Sequence, residues 1–135
     1  MTTISHPRTA SVCSGAQLEL MCTSTMNLLR WHISIPNGNS SKTYNRALST
    51  NSQEWQIQDN LTTFTFSVIS SNSSIVMSRL LINPIKDSLN TTEVNCVDDD
   101  NTASSIIDII DKAANLSRLI LLICIPCNDA LIYKK

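Results

Sequence analysis

The chain has 135 residues, with 10 Lys and Arg against 11 Asp and Glu, a net charge of −1 and only 4% aromatic residues. That length suits one hydrophobic core rather than two domains, and scattered cations with few rings argue against nucleic-acid binding, which needs a basic stripe or a stacking platform. Five cysteines among 32 Ser and Thr and 13 Asn are the composition of an extracellular chain, and their odd number leaves at least one thiol unpaired within the chain.

From its start, the segment MTTISHPRTASV lacks the apolar stretch of a secretory leader. The expectation is a fragment of a longer protein or a chain whose leader has been removed. Residues 1–10 read as an extension, and a first strand is expected near Ser11 to Cys13, followed by a turn at Ser14-Gly15. The second strand covers Gln17 to Ser24, where Leu18, Leu20 and Cys22 share one face and Glu19 and Met21 the other, the period of a half-buried strand. A third, Leu28 to Ile35, puts Leu29, Trp31, Ile33 and Ile35 inside and Arg30, His32 and Ser34 outside, and ends at the turn formers PNGNSS. Lys42 to Asp59 is weakly patterned and predicts one or two short edge strands around Tyr44 and Trp55. Phe64, Phe66 and Val68 mark the inner face of the next strand, and Leu80 and Ile82 that of a strand over Ile75 to Ile82. Val94 and Cys96 point inward from a further strand, which gives way to an acidic turn at Asp98 to Asn101 and a closing strand in SIIDIID. About eight short strands with turn signals between them, and no convincing helix, predict an all-β antiparallel sandwich or barrel.

These residues carry a family resemblance. GAQLELMC resembles the second strand of immunoglobulin-like domains, Trp31 their core tryptophan, and Ser78 to Ile85 the pattern leading toward their sixth strand. Leu89 to Cys96 occupies the place of the segment D-x-A-x-Y-x-C, with three departures: Asn90 for the acid, Thr92 for the small residue and Val94 for the corner tyrosine. The resemblance implies a divergent Greek-key domain over residues 11–111, closer to variable or intermediate types because 46 residues separate Trp31 from Ser78, with a tail at 112–135 outside it. It also implies a core around Trp31, Leu20, Leu80, Ile82 and Val94, and a Cys22 to Cys96 disulfide; two separate buried thiols are the alternative. Without the tyrosine hydroxyl, the corner before the sixth strand is expected to open more easily, with Asn90 the obvious substitute.

The remaining cysteines carry less. Cys124-x-x-Cys127 has the spacing of a redox or zinc pair, but a proline lies inside it in an apolar tail, and too few further ligands remain for zinc. Cys13 bridged to Cys124 or Cys127, and free tail thiols, both stand. The apolar run Leu119 to Ile125 is less than half a bilayer span, so no membrane insertion is expected of this segment; a truncated anchor, a buried strand and a tail of uncertain origin remain as its readings. No metal or cofactor site is expected, since Asp98 to Asp100 at a turn project in different directions. No enzymatic constellation stands out either: His32 faces outward on its strand, and no nucleophile elbow or oxyanion loop accompanies it.

Of five N-x-S/T sequons, Asn39, Asn60 and Asn72 fall in predicted loops and Asn90 at the turn before the sixth strand, all expected to be accessible to glycans, while Asn115 depends on the tail. The functional expectation is an extracellular recognition or adhesion module of a cell-surface or secreted protein. Its partner would be a protein, a second sandwich domain or a glycan. The alternative is a structural spacer in a larger receptor ectodomain with no ligand of its own. By resemblance the binding surface is either the loops after Cys22, around Asn37 to Ser40 and at Asp98 to Asn101, or the sheet face bearing Arg30, His32 and Asn95. Sugars on Asn39, Asn60 and Asn72 would cover the central region and leave that face bare, with Met21, Leu81, Val97 and outward isoleucines of Ile106 to Ile110 adding apolar area.

Overall fold

The computed structural model describes residues 2–4, 8–25, 28–49, 52–71, 75–98 and 102–110. The tail at 112–135, with Asn115, Cys124 and Cys127, lies outside them, as does Asn72. Among these described residues ten strands follow in chain order: β1 (Thr2–Ile4), β2 (Thr9–Cys13), β3 (Leu18–Ser24), β4 (Leu28–Asn37), β5 (Ser40–Ser49), β6 (Trp55–Asp59), β7 (Thr62–Ser71), β8 (Val76–Asn83), β9 (Glu93–Val97) and β10 (Thr102–Ile110). A 3₁₀ turn, Asp87–Leu89, sits between β8 and β9. The strands form two five-stranded sheets, β1-β3-β8-β7-β6 and β2-β10-β9-β4-β5. All pairings are antiparallel except that of β2 with β10, which is parallel.

Alternation in β3, β4, β7, β8 and β9 delivers the core because the pleat sends successive side chains to opposite faces. Leu20, Cys22, Trp31, Ile33, Phe64, Leu80, Ile82, Val94 and Cys96 are all fully buried. Cys22 and Cys96 are bridged, joining β3 of one sheet to β9 of the other across 74 positions of chain. In the chain-entropy account, a closed loop of that size stabilises by about 4 kcal/mol. Cys13 is also disulfide-bonded, and its pairing lies outside the described residues.

The strands depart from the expectation at two places. Strand β1 lies within the segment read as an extension; three residues are too few to show a period. Strand β5 runs for ten residues where only short edge strands are legible. Its inward side carries fully buried Leu48, half-buried Tyr44 and Arg46, and, at the same parity, exposed Lys42. Lys42 Nζ donates to Asp59 Oδ1 at 2.8 Å, the Tyr44 and Phe64 rings lie 6.4 Å apart, and the Arg46 guanidinium sits 4.3 Å over the Trp55 ring. These contacts close one side of the sandwich between β5 and the β6–β7 pair. Together β5 and β6 fill the gap between Trp31 and Ser78, where variable-type sandwiches insert two strands; here β5 extends one sheet and β6 the other.

Candidate interaction surface

The outer face of the sheet β2-β10-β9-β4-β5 is laid out by register. Arg30 pairs with Val97 and Ala47, His32 with Asn95 and Asn45, and Ser34 with Glu93 and Thr43. On β10, Ser104 lies beside Asn95 and Ile106 beside Glu93. Arg30, His32 and Asn95 therefore come together on one face, His32 and Asn95 as direct cross-strand neighbours. The Ser104 hydroxyl donates to Asn95 Oδ1 across the β9–β10 pair. Most of the other positions carry Ser, Thr or Asn.

Charge on this face is divided along the strands. Arg30 is exposed toward one end, and Glu93 and Asp108 are exposed toward the other. Four strand positions separate the Arg30 row from the Glu93 row, about 13 Å at 3.3 Å per residue.

Two expectations about this surface need correction. Met21 and Leu81 are half-buried on the opposite sheet, where Met21 pairs with Arg79 and Leu81 with Glu19, so they add no apolar area here. What the face does offer is half-buried Val97 with Leu28 and Ile106, each 43% exposed, whereas Ile107 is fully buried. The alternation of SIIDIID allows either parity, and pairing with β9 selects the one that buries Ile107. The three candidate loops also do not converge. Ser24 Oγ donates to Asp98 Oδ2 at 2.7 Å, joining the ends of β3 and β9, but β4 carries the chain away from there, and the Asn37–Ser40 hairpin lies at the other end.

That other end gathers three sequons. Asn39 occupies the two-residue turn that joins β4 to β5, where Gly38 takes φ 67, a left-handed value free of steric cost only for glycine. Asn60 and Leu61, at φ 51 and 71, form the two-residue turn between β6 and β7. Asn37, Lys42, Asp59, Asn60, Ser88 and Leu89 surround one hollow of about 130 Å³, and Asn90 follows directly. Asn39 and Asn60, expected to cover the central region, thus lie at one end of the sandwich. Local alternation says nothing about which turns share an end.

Asn90 has a structural part that its sequence position only hints at. Its Oδ1 accepts from Ile109 N at 2.9 Å, Thr91 N donates to Ile107 O at 2.8 Å, and Ile107 N donates to Thr92 O at 2.9 Å. This staple ties the corner to β10 where the family tyrosine is absent. Among the described residues no group of three or more His, Cys, Asp or Glu could hold a metal, and no helix is long and apolar enough to cross a membrane.

No family model and no curated protein matches the chain. Solved structures do match. A chain from structure-based photo-crosslinking work on multimeric cell-adhesive interactions of VGSC beta subunits superposes with a TM-score of 0.53 at 17% identity, over 80% of this chain and 96% of that one. A likeness at that identity is one of fold, and with the two stacked sheets and the Cys22–Cys96 bridge the domain is an immunoglobulin-like β-sandwich.

Proposed function

We propose that the domain is a non-catalytic extracellular adhesion module that associates with a second copy of itself through the outer face of the β2-β10-β9-β4-β5 sheet. The observation that carries this reading is the charge division on that face. A two-fold axis lying in the interface, perpendicular to the strands and passing through the His32–Asn95 row, sets the Arg30 row of one copy over the Glu93 row of the other. The same patch then complements itself, as an isologous contact requires. Leu28, Val97 and Ile106 supply apolar area around a polar centre able to hydrogen-bond across the contact. None of the five sequons lies on β4, β9 or β10. The cell-adhesive setting of the VGSC beta subunits lends the reading support by analogy of fold.

Sedimentation of the glycosylated domain tests it. Arg30→Glu, alone or with a bulky replacement of Asn95, is expected to abolish self-association without lowering the melting temperature, and Arg30→Glu with Glu93→Lys to restore it. Unchanged association in the Arg30→Glu variant removes this face. A wild-type domain that stays monomeric and binds nothing favours the spacer, a role that the small polar side chains of the face also suit.

A further inference from the structure

The three sequons at one end differ in the third residue, whose hydroxyl the glycosylating enzyme must reach. In Asn39-Ser40-Ser41 both serines are exposed on a hairpin. In Asn60-Leu61-Thr62, Thr62 is 1% exposed, and its Oγ1 donates to Pro84 O at 2.8 Å. In Asn90-Thr91-Thr92, Thr92 is fully buried, and its Oγ1 has no hydrogen-bond partner among the described residues. Neither Thr62 nor Thr92 can offer its hydroxyl without the strand that follows leaving its sheet.

Asn90 itself remains open. It is exposed, and because Ile109 N–H can only donate, the carboxamide atom facing it is the oxygen, which turns Nδ2 away from β10. Attachment of a sugar forms a bond from Nδ2 to the anomeric carbon of a polyprenyl-diphosphate-linked oligosaccharide. The lipid diphosphate leaves and Nδ2 loses one proton. Oδ1 is untouched, so the bond from Ile109 N survives in the modified protein.

We infer that Asn60 and Asn90 are glycosylation sites closed by folding, modified only while β7 and β9 are still undocked, whereas Asn39 accepts sugar before or after folding. The inference rests on the extracellular reading for the chain to meet the enzyme at all. The buried hydroxyl of Thr92 then has a use that packing alone does not supply: it is the recognition group of a modification completed before it is buried. Attachment at Asn90 also commits the corner early, since the glycan prevents that residue from turning inward in misdocked arrangements of β9.

The test uses the wild-type chain in two states, oxidised and folded, or reduced, thiol-blocked and denatured, each incubated with solubilised oligosaccharyltransferase and lipid-linked oligosaccharide, with occupancy read per site by peptide mass spectrometry. Asn39 is expected to be modified in both states, and Asn60 and Asn90 on the order of a hundredfold less in the folded one, because exposing their hydroxyls requires sub-global opening. Equal occupancy of Asn90 in the two states overturns the inference, as does absence of modification at Asn90 in the unfolded chain. Self-association fails or holds independently of this pattern, so the two proposals fall separately.

Discussion

The centre of the sandwich and the corner before β9 both tie one part of the chain to another with polar groups, and they do so in opposite ways. At the centre the Trp31 indole N–H donates to Ser78 Oγ at 2.9 Å, and Ser78 Oγ donates to Ser67 O at 2.7 Å. The relay runs from β4 into β8 and β7, beside the Cys22–Cys96 bridge, and each donor has an acceptor. It also coincides with an irregularity in β7, where the register with β8 shifts between Val68 and Ser70. At the corner, Thr91 holds φ 66, uncommon for a β-branched residue, and Thr92 Oγ1 is buried without a partner among the described residues. A satisfied buried network adds rigidity, while an unsatisfied group costs its desolvation. The corner is thus held at a cost that the centre does not carry, and it is where the domain should be easiest to loosen and easiest to improve.

The largest effect is expected at the centre. Trp31→Ala should destabilise by about 3–5 kcal/mol, through the cavity left among buried neighbours. Ser78→Ala should cost about 1–3 kcal/mol by leaving the indole N–H unsatisfied. Denaturant titration measures both, and a Ser78→Ala loss below about 0.5 kcal/mol would show that the relay is incidental.

At the corner, smaller changes of opposite sign separate the fastening from its cost. Asn90→Ala should destabilise by about 1 kcal/mol and raise amide exchange at Ile109 in particular, whereas unchanged protection there means that the backbone bonds of Thr91 and Thr92 hold the corner unaided. Thr92→Val, which keeps the shape and removes the orphaned hydroxyl, should stabilise by about 1 kcal/mol while ending glycosylation at Asn90. Loss of stability would mean that the hydroxyl has a partner. In the unmodified protein, exchange across Leu89 to Glu93 should remain faster than in β3.

The smallest effect lies at the side of the sandwich closed by Lys42 and Asp59. The hydrogen bond to Asp59 outweighs desolvation and, with the negative charge of Asp59 and a contribution from Tyr44, holds the Lys42 pKa above its ordinary 10.5. A raised folded-state value means the contribution is fully present below 10.5 and lost as pH climbs through the higher folded value. The stability difference between the wild type and Asp59→Asn should therefore stay constant from neutral pH up to about 10 and vanish above the Lys42 titration. A difference that persists at higher pH would assign it to packing.

Inside and outside were legible in the sequence wherever apolar and polar residues alternate, since the pleat depends on nothing beyond neighbouring residues. That rule placed Leu20, Cys22, Trp31, Phe64, Phe66, Leu80, Ile82, Val94 and Cys96 in the interior and turned Arg30, His32 and Asn95 outward on their own strands, while the one face they share was implied by the resemblance and is set by the β4–β9 pairing. The rule was silent for most of β5, because the positions that share a parity with buried Leu48 are Lys42, Tyr44 and Arg46, which read as polar although Tyr44 and Arg46 are half-buried. Which turns share an end, which parity SIIDIID adopts, the parallel pairing of β2 with β10, the burial of Thr62 and Thr92 and the reach of Asn90 to Ile109 were decided by tertiary structure alone. Each depends on strand order and register across the whole sandwich, which are set by long-range pairing, whereas alternation records only the two faces of a single strand.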